Sequence, residues 1–152
     1  MNNIKIITKN RNAYHEYHVL EKIEAGITLR GTEVKSIREN SAISLKESYV
    51  DFLKGEAWLI GCRVSPYKQG NINNHDPERA RKLLLHKREL NKLARQVAEK
   101  GITIVPLAAY FKQGKVKIEI GLCRGKRLYD KRDTIKQREA DREIERAVKH
   151  RR

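Results

Sequence analysis

Two histidines, His15 and His18, form the pair that most resembles half of a metal site. On a strand these side chains would point to opposite faces, and no cysteine or carboxylate cluster completes a ligand shell. The chain has no Gly-rich phosphate loop and no G-x-S-x-G or H-E-x-x-H motif. His15 or His86 could still meet a carboxylate in space, as in small basic ribonucleases. We expect a protein that is not an enzyme, with no metal and no cofactor, and keep a ribonuclease as an alternative.

Charge indicates the partner more directly than any catalytic pattern. The 152 residues include 34 Lys and Arg and 19 Asp and Glu, a formal net charge of +15. Residues 130–152 hold nine of the bases and six of the acids, so 25 bases and 13 acids, an excess of +12, lie in residues 1–129. An excess of this size is typical of a protein that binds a polyanion, either nucleic acid or an anionic membrane surface.

Membrane insertion and secretion are not expected. No apolar run approaches the roughly 20 residues of a membrane span, and the first residues lack the apolar stretch of a signal peptide. Cys62 and Cys123 are isolated, which favours buried, reduced thiols over a disulfide or a zinc site. The expected location is the cytoplasm.

Short alternating runs predict most of the fold. Apolar and polar side chains alternate in KVKIEIGL (115–122), and ITIVPLAAYF (102–111) is its expected hairpin partner. A second hairpin is predicted over 48–64, where Lys54-Gly55 can supply a tight turn, and an earlier long strand over 15–31. Five or six such strands predict a mainly β fold with flanking helices, a small antiparallel barrel of OB type.

Two helices are expected among the strands. GTEVKSIREN (31–40) is the shorter, with Thr32 as its cap. The longer begins at Asp76-Pro77, ends at Lys100-Gly101, and carries an apolar stripe that includes Leu83 and Leu93. Leu84 and Leu85 do not fit that stripe. Either the helix breaks near His86, or apolar groups face outwards beside basic ones.

Residues 130–152, called the tail below, contain few large apolar residues. At helical spacing Arg138, Arg142, Arg146 and Lys149 would share one face. Such a helix is marginal alone, so we expect a tail that is disordered in isolation and helical when bound in a polyanionic groove. The alternative is a charged tail that only improves solubility. The predicted division is therefore a polyanion-binding barrel over 1–129 and a basic tail over 130–152.

Three segments resemble the SsrA-binding protein (SmpB) family of bacteria: HEYHVLEKIEAGITLRGTEVKSIREN, DPERARKLLLHKREL and KVKIEIGLCRGKRLYDKRDTIKQRE. The similarity runs in one order from about Asn12 to the C-terminus. It implies a non-enzymatic protein that binds the tRNA-like part of transfer-messenger RNA. With elongation factor Tu and GTP, the RNA is delivered to stalled ribosomes for trans-translation and peptide tagging. The alternative is another OB-type RNA binder, such as a ribosomal or RNA-chaperone protein.

The resemblance also implies site residues. Glu24 matches the acidic residue of the family's E-A-G motif, and Leu84, His86 and Lys117 match further positions used for RNA. The full predicted RNA-binding set is Glu24, Glu33, Lys35, Lys82, Leu84, His86, Lys117 and Lys126. Because phosphate repels a carboxylate, Glu24 is expected to accept from a base amino group or to hold a neighbouring Arg.

The tail is implied to act on the ribosome, at the decoding centre and in an mRNA channel left empty by a missing message. Its predicted ribosome-binding residues are Tyr129, Asp130, Lys131, Arg132, Lys136, Arg138, Arg142, Arg146 and Lys149. Some family members have histidine where this chain has Tyr129. A role there is therefore expected to rest on stacking against a ribosomal base and not on protonation.

Overall fold

The computed structural model describes residues 4–67, 74–99 and 101–126. Nine strands and three helices lie in these ranges, and all the strand pairings among them are antiparallel. The elements are β1 (Ile4–Lys9), α1 (Arg11–Glu16), β2 (Tyr17–Ile27), α2 (Gly31–Asn40), β3 (Ile43–Ser44), β4 (Tyr49–Leu53), β5 (Glu56–Ile60), β6 (Arg63–Val64), β7 (Arg81–Leu84), α3 (Lys87–Val97), β8 (Ile102–Lys112) and β9 (Lys115–Gly125).

One antiparallel sheet curls into a near-closed ring. Its strand order is β1-β8-β4-β5-β7-β2-β9, and β8 pairs with β9 as well, so the sheet returns on itself. The join between β8 and β4 is short, a single pair of Val50 with Ile104. Strand β1 extends the sheet along the other half of β8, and β3 and β6 form a separate small ladder. Such closure protects most strand edges.

Apolar and polar residues alternate along strands of this ring, as the sequence predicts, so that one face of such a strand is buried. In β9, Val116, Ile118 and Ile120 are buried, whereas the residues between them face outwards. Both predicted hairpins are confirmed, β4 with β5 and β8 with β9. Each turn has two residues with positive φ, Lys54-Gly55 in the first and Gln113-Gly114 in the second. Positive φ at both central turn positions suits the twist of paired strands.

The core fills the ring and extends beneath α3. Leu59, Ile104 and Ile118 are fully buried inside it, and Leu93 of α3 packs on the same cluster. Both cysteines are buried and form no disulfide, as predicted. Burial raises the pKa of each thiol to about 11, because a thiolate is poorly solvated inside a protein.

The predicted long helix is wrong in its first part. Residues 81–84 form β7, which hydrogen-bonds to β5 on one side and β2 on the other, and α3 begins only at Lys87. Alternation in this strand explains the neighbouring leucines, since Leu83 is 3% exposed and Leu84 53%. Both alternatives raised from the sequence are thus partly right: the helix begins after His86, and the apolar side chain of Leu84 faces outwards.

Other sequence expectations need correction near the N-terminus and at α2. His15 lies in helix α1 and not on the strand that carries His18. Strand β1 was not predicted. Thr32 does not cap α2, because its hydroxyl lies 2.9 Å from Nδ1 of His75. At the start of α2, the backbone N–H of Arg30 donates to the Glu33 carboxylate at 2.8 Å.

Within the described ranges, no helix combines the length and apolar character needed to cross a membrane. Nor do these residues include a group of three or more His, Cys, Asp or Glu side chains arranged to hold a metal ion.

Candidate nucleic-acid interface

An open groove of about 670 Å³ lies on the outer surface of the ring, between β2, β7 and the start of α3. We call it the Leu84 groove. Five of the predicted RNA-binding residues line it together, although they are far apart in the chain: Glu24, Lys82, Leu84, His86 and Lys117. The sheet brings them together, because β2 pairs with β7 on one side and with β9 on the other.

Register explains how Leu84 is presented. Gly26 of β2 is paired with Leu84 of β7 and with Lys117 of β9, so the three residues form one row across the outer face. A Cβ at Gly26 would lie only 3.1 Å from the Leu84 Cβ. The absence of a side chain at Gly26 therefore leaves room for Leu84 beside it. A second depression, of about 300 Å³, lies along this row and shares Gly26, Leu84 and Lys117 with the groove.

Glu24 lies two residues before Gly26, on the same face of β2. Its carboxylate accepts a hydrogen bond from the Tyr110 hydroxyl, and the Lys112 ammonium lies 3.3 Å from Oε1. The Tyr110 hydrogen bond does most to lower the pKa of Glu24, against the opposing effect of partial burial, with Lys112 and Lys117 adding to it. Burial and the neighbouring Glu24 charge raise the pKa of Tyr110. Glu24 is therefore ionised at neutral pH and can only accept hydrogen bonds.

The groove itself is close to neutral. Its lining contains three glutamates and three lysines. Two of the glutamates are paired, Glu56 with Lys82 of the lining at 2.9 Å and Glu24 with Lys112 outside it. Leu83, Leu84, Leu85 and Leu90 supply apolar surface between the charges. A neutral groove with apolar walls and fixed acceptors suits the contact of an unpaired base or ribose better than that of a phosphate chain.

His86 lies where β7 gives way to α3. Its backbone is extended, and its N–H donates to Oε1 of Glu89 at 3.2 Å, which fixes the first turn of the helix. Lys87 and Glu89 of that turn also line the Leu84 groove. The helix start therefore forms one wall of the groove, with His86 at the corner.

Glu33 is not in the groove. Its side chain is fully buried and lies between two arginines: Nη2 of Arg79 is 2.5 Å from Oε1, and Nε of Arg81 donates to Oε2. Arg81 is fully buried as well and also donates to the carbonyls of Cys62 and Pro77. Burial opposes ionisation of Glu33, but the Arg30 N–H and the two guanidinium groups outweigh it and lower its pKa. This placement favours a structural role for Glu33.

Two further predicted residues lie outside the groove lining. The Lys35 ammonium is 5.9 Å from the centroid of the Tyr67 ring, a cation–π geometry. Lys126 lines a separate depression of about 510 Å³ with Tyr14 and Leu20. The predicted tail residues fall outside the described part of the chain: Tyr129, Asp130, Lys131, Arg132, Lys136, Arg138, Arg142, Arg146 and Lys149.

Sequence reasoning missed Gly26, Glu56, Tyr110 and Lys112, which all contact or line this site. Tyr110 lies near the end of an apolar run, which is typical of a core residue. Its contact with Glu24 could not be foreseen, because the two residues are 86 positions apart in the chain. Gly26 carried a usable signal, since glycine inside a strand often marks a close approach of another group.

Comparisons with known proteins agree with one another. The family described as "SmpB protein" matches residues 7–150. The SsrA-binding protein of Carboxydothermus hydrogenoformans is 54% identical over 147 residues, covering 97% of this chain and 98% of its own length. That of Chlamydia trachomatis serovar A is 51% identical, covering 96% of each. A solved structure described as "tmRNA-SmpB: a journey to the center of the bacterial ribosome" is 45% identical, with a TM-score of 0.68, covering 84% of this chain and 93% of that one.

Proposed function

This chain belongs to the SsrA-binding protein (SmpB) family, and on that premise we propose that the Leu84 groove is the surface that captures transfer-messenger RNA. As a member of the family it is a non-enzymatic RNA-binding protein of trans-translation on the ribosome. Membership also answers the alternatives raised from the sequence, a different RNA binder or a small ribonuclease.

The observation that carries the proposal is the convergence at Leu84. About half of Leu84 is exposed, and it lines one groove together with Lys117, the Glu24 carboxylate and His86. A large exposed apolar group among polar ones is what an unstacked base can pack against while its edges are hydrogen-bonded. The remaining positive charge of the body then attracts the phosphate chain from outside the groove.

The finer assignments of the proposal are supported by family membership. We describe the ring as a barrel of OB type, with residues 1–129 as the RNA-binding domain and residues 130–152 as the tail. The tail enters the decoding centre and the empty mRNA channel of the ribosome. Elongation factor Tu with GTP joins through the RNA, and the site of action is the cytoplasm. RNA capture and ribosome engagement are thus separate tasks of separate parts of the chain.

Binding to the isolated tRNA-like domain of transfer-messenger RNA tests the proposed surface. Leu84→Ala and Lys117→Ala should each weaken binding about 10-fold, roughly 1.4 kcal/mol. Leu53 is a matched control, because it is 62% exposed and does not line the groove. Lys46 serves the same purpose for the lysine, being exposed and absent from the lining.

Leu53→Ala and Lys46→Ala should bind within about twofold of the unaltered protein, since neither meets the RNA. All four variants should keep the melting temperature, because none of the four side chains is buried and substitutions of such residues change stability little. Equal effects of Leu84→Ala and Leu53→Ala would mean that the groove is not the RNA-binding surface.

A further inference from the structure

A carboxylate on an RNA-binding surface needs a physical explanation. Glu24 lies in the Leu84 groove, where the approaching phosphates of an RNA would repel its charge. The side chain is about one-third exposed, so it is neither withdrawn into the core nor free to turn away. Its contacts on the side away from the groove supply the explanation.

Two residues of strand β8, Tyr110 and Lys112, contact the Glu24 carboxylate. Tyr110 is paired with Lys117 across β8 and β9, so its side chain lies on the same outer face as the groove residues. It is nevertheless only 7% exposed, and its hydroxyl donates to Oε2 of Glu24. The Lys112 ammonium lies 3.3 and 3.4 Å from the two carboxylate oxygens. A rigid neutral donor and a cation therefore hold one side of the carboxylate and leave its other lone pairs to the groove.

We propose, on the basis of the proposed function, that Tyr110 is a positioning residue for RNA recognition, whose hydroxyl fixes the Glu24 carboxylate as an acceptor for the N–H donors of an unpaired nucleobase. Tyr110 is too buried to meet the RNA itself. An ionised carboxylate can only accept hydrogen bonds, so it selects amino and imino edges and rejects carbonyl edges and phosphate. Lys112 offsets the repulsion between Glu24 and the nearby RNA backbone.

Charged and titratable groups from several neighbouring elements surround Glu24. Tyr110 and Lys112 face it from β8, and Lys117 and Glu119 lie beside it on β9. Across the groove are Glu56, Lys82, His86, Lys87 and Glu89. The pKa of Glu24 lies below its ordinary value of 4.5, mainly because of the Tyr110 hydrogen bond. Removing the hydroxyl should therefore move this pKa upwards.

A double-mutant cycle on the full chain tests the inference. The probe is the tRNA-like domain of transfer-messenger RNA at pH 7, with Tyr110→Phe, Glu24→Gln and the double variant. Tyr110→Phe should weaken binding about 10-fold, since hydrogen bonds to charged groups are among the stronger ones. The double variant should bind no worse than Glu24→Gln alone, because Tyr110 acts through Glu24. Tyr49→Phe, at an exposed tyrosine outside the groove lining, should change nothing.

A second readout does not depend on RNA. The carboxyl ¹³C resonance of Glu24, followed against pH in the free protein, should titrate at a higher pH in Tyr110→Phe than in the unaltered chain. A merely structural role for Tyr110 would leave that titration unchanged. Agreement of the two readouts would support both the hydrogen bond and its use in recognition.

Failure of the inference can be told apart from failure of the proposed function. If Leu84→Ala and Lys117→Ala weaken RNA binding but Tyr110→Phe or Glu24→Gln does not, the positioning role is overturned and the groove stands. Losses that multiply in the double variant would also overturn it, since the two residues would then act independently. If none of these variants weakens binding, the groove itself is not the RNA surface.

Discussion

Replacing Glu33 by glutamine separates a structural role from an RNA-binding one. The substitution keeps the shape of the side chain and removes its charge, while Arg81 stays fully buried. Breaking a buried ion pair by removing one partner typically costs about 3–5 kcal/mol, since an uncompensated charge is left in the interior. Arg81 keeps its hydrogen bonds to the carbonyls of Cys62 and Pro77, which favours the lower end, about 3 kcal/mol.

A loss of about 3 kcal/mol should lower the melting temperature by roughly 6–12 °C in a chain of this length. Urea unfolding gives the same free energy independently. Glu78→Gln is the control, because Glu78 is 71% exposed and 3.7 Å from Arg63, a surface pair worth little. Its melting temperature should stay within about 2 °C of the unaltered protein.

The effect of Glu33→Gln should also depend on pH in one direction. The folded state lowers the pKa of Glu33, so its contribution to stability is present above its ordinary value of 4.5 and is lost as pH falls through the folded value. The difference from the unaltered protein should therefore shrink in acid. A melting temperature within 2 °C of the unaltered protein, combined with weaker RNA binding, would refute the structural assignment and restore Glu33 as an RNA contact.

Three further predictions concern the groove, the core and the tail. Gly26→Ala should weaken binding of the tRNA-like RNA several-fold, because the added Cβ would lie 3.1 Å from that of Leu84 and displace it; unchanged affinity would show that Leu84 adjusts without loss. Cys62 and Cys123 should resist a thiol reagent at pH 8 until the protein unfolds, since both are buried with a pKa of about 11; rapid labelling of the native protein would contradict this. Removal of residues 130–152 should abolish peptide tagging in a reconstituted translation system, and retained tagging would show that the tail is dispensable.

The strands with a clear inner and outer face could be predicted from the sequence. Val116, Ile118 and Ile120 alternate with polar residues, so the pattern of β9 is local and survives without knowledge of its partners. Strand β7 could not be found this way. Its four residues, Arg81–Leu84, follow Asp76-Pro77 and precede an amphipathic helix, so the local signals favour helix. Only pairing with β5 and β2 makes this segment a strand.

The site was predictable only in part. Glu24, Leu84 and Lys117 were indicated by resemblance, and the sheet places them in one groove. Glu33 was included in the predicted RNA-binding set, but it is fully buried, and its burial depends on two arginines nearly 50 positions away. Nothing in the sequence around Tyr110 indicated a role at this site, since its hydrogen-bond partner, Glu24, lies on another strand. Long-range pairing, which a single sequence does not display, accounts for these differences.

The central claim is that the folded body captures the RNA and the tail serves the ribosome. The most direct test compares the full chain with residues 1–129, binding the tRNA-like domain of transfer-messenger RNA and an ordinary tRNA across a salt series. Each phosphate contact contributes roughly 0.7 to 0.9 to the slope of log affinity against log salt. We predict tight, selective binding that survives truncation with a similar slope. Equal binding of the two RNAs, with a slope that collapses when the tail is removed, would contradict the account.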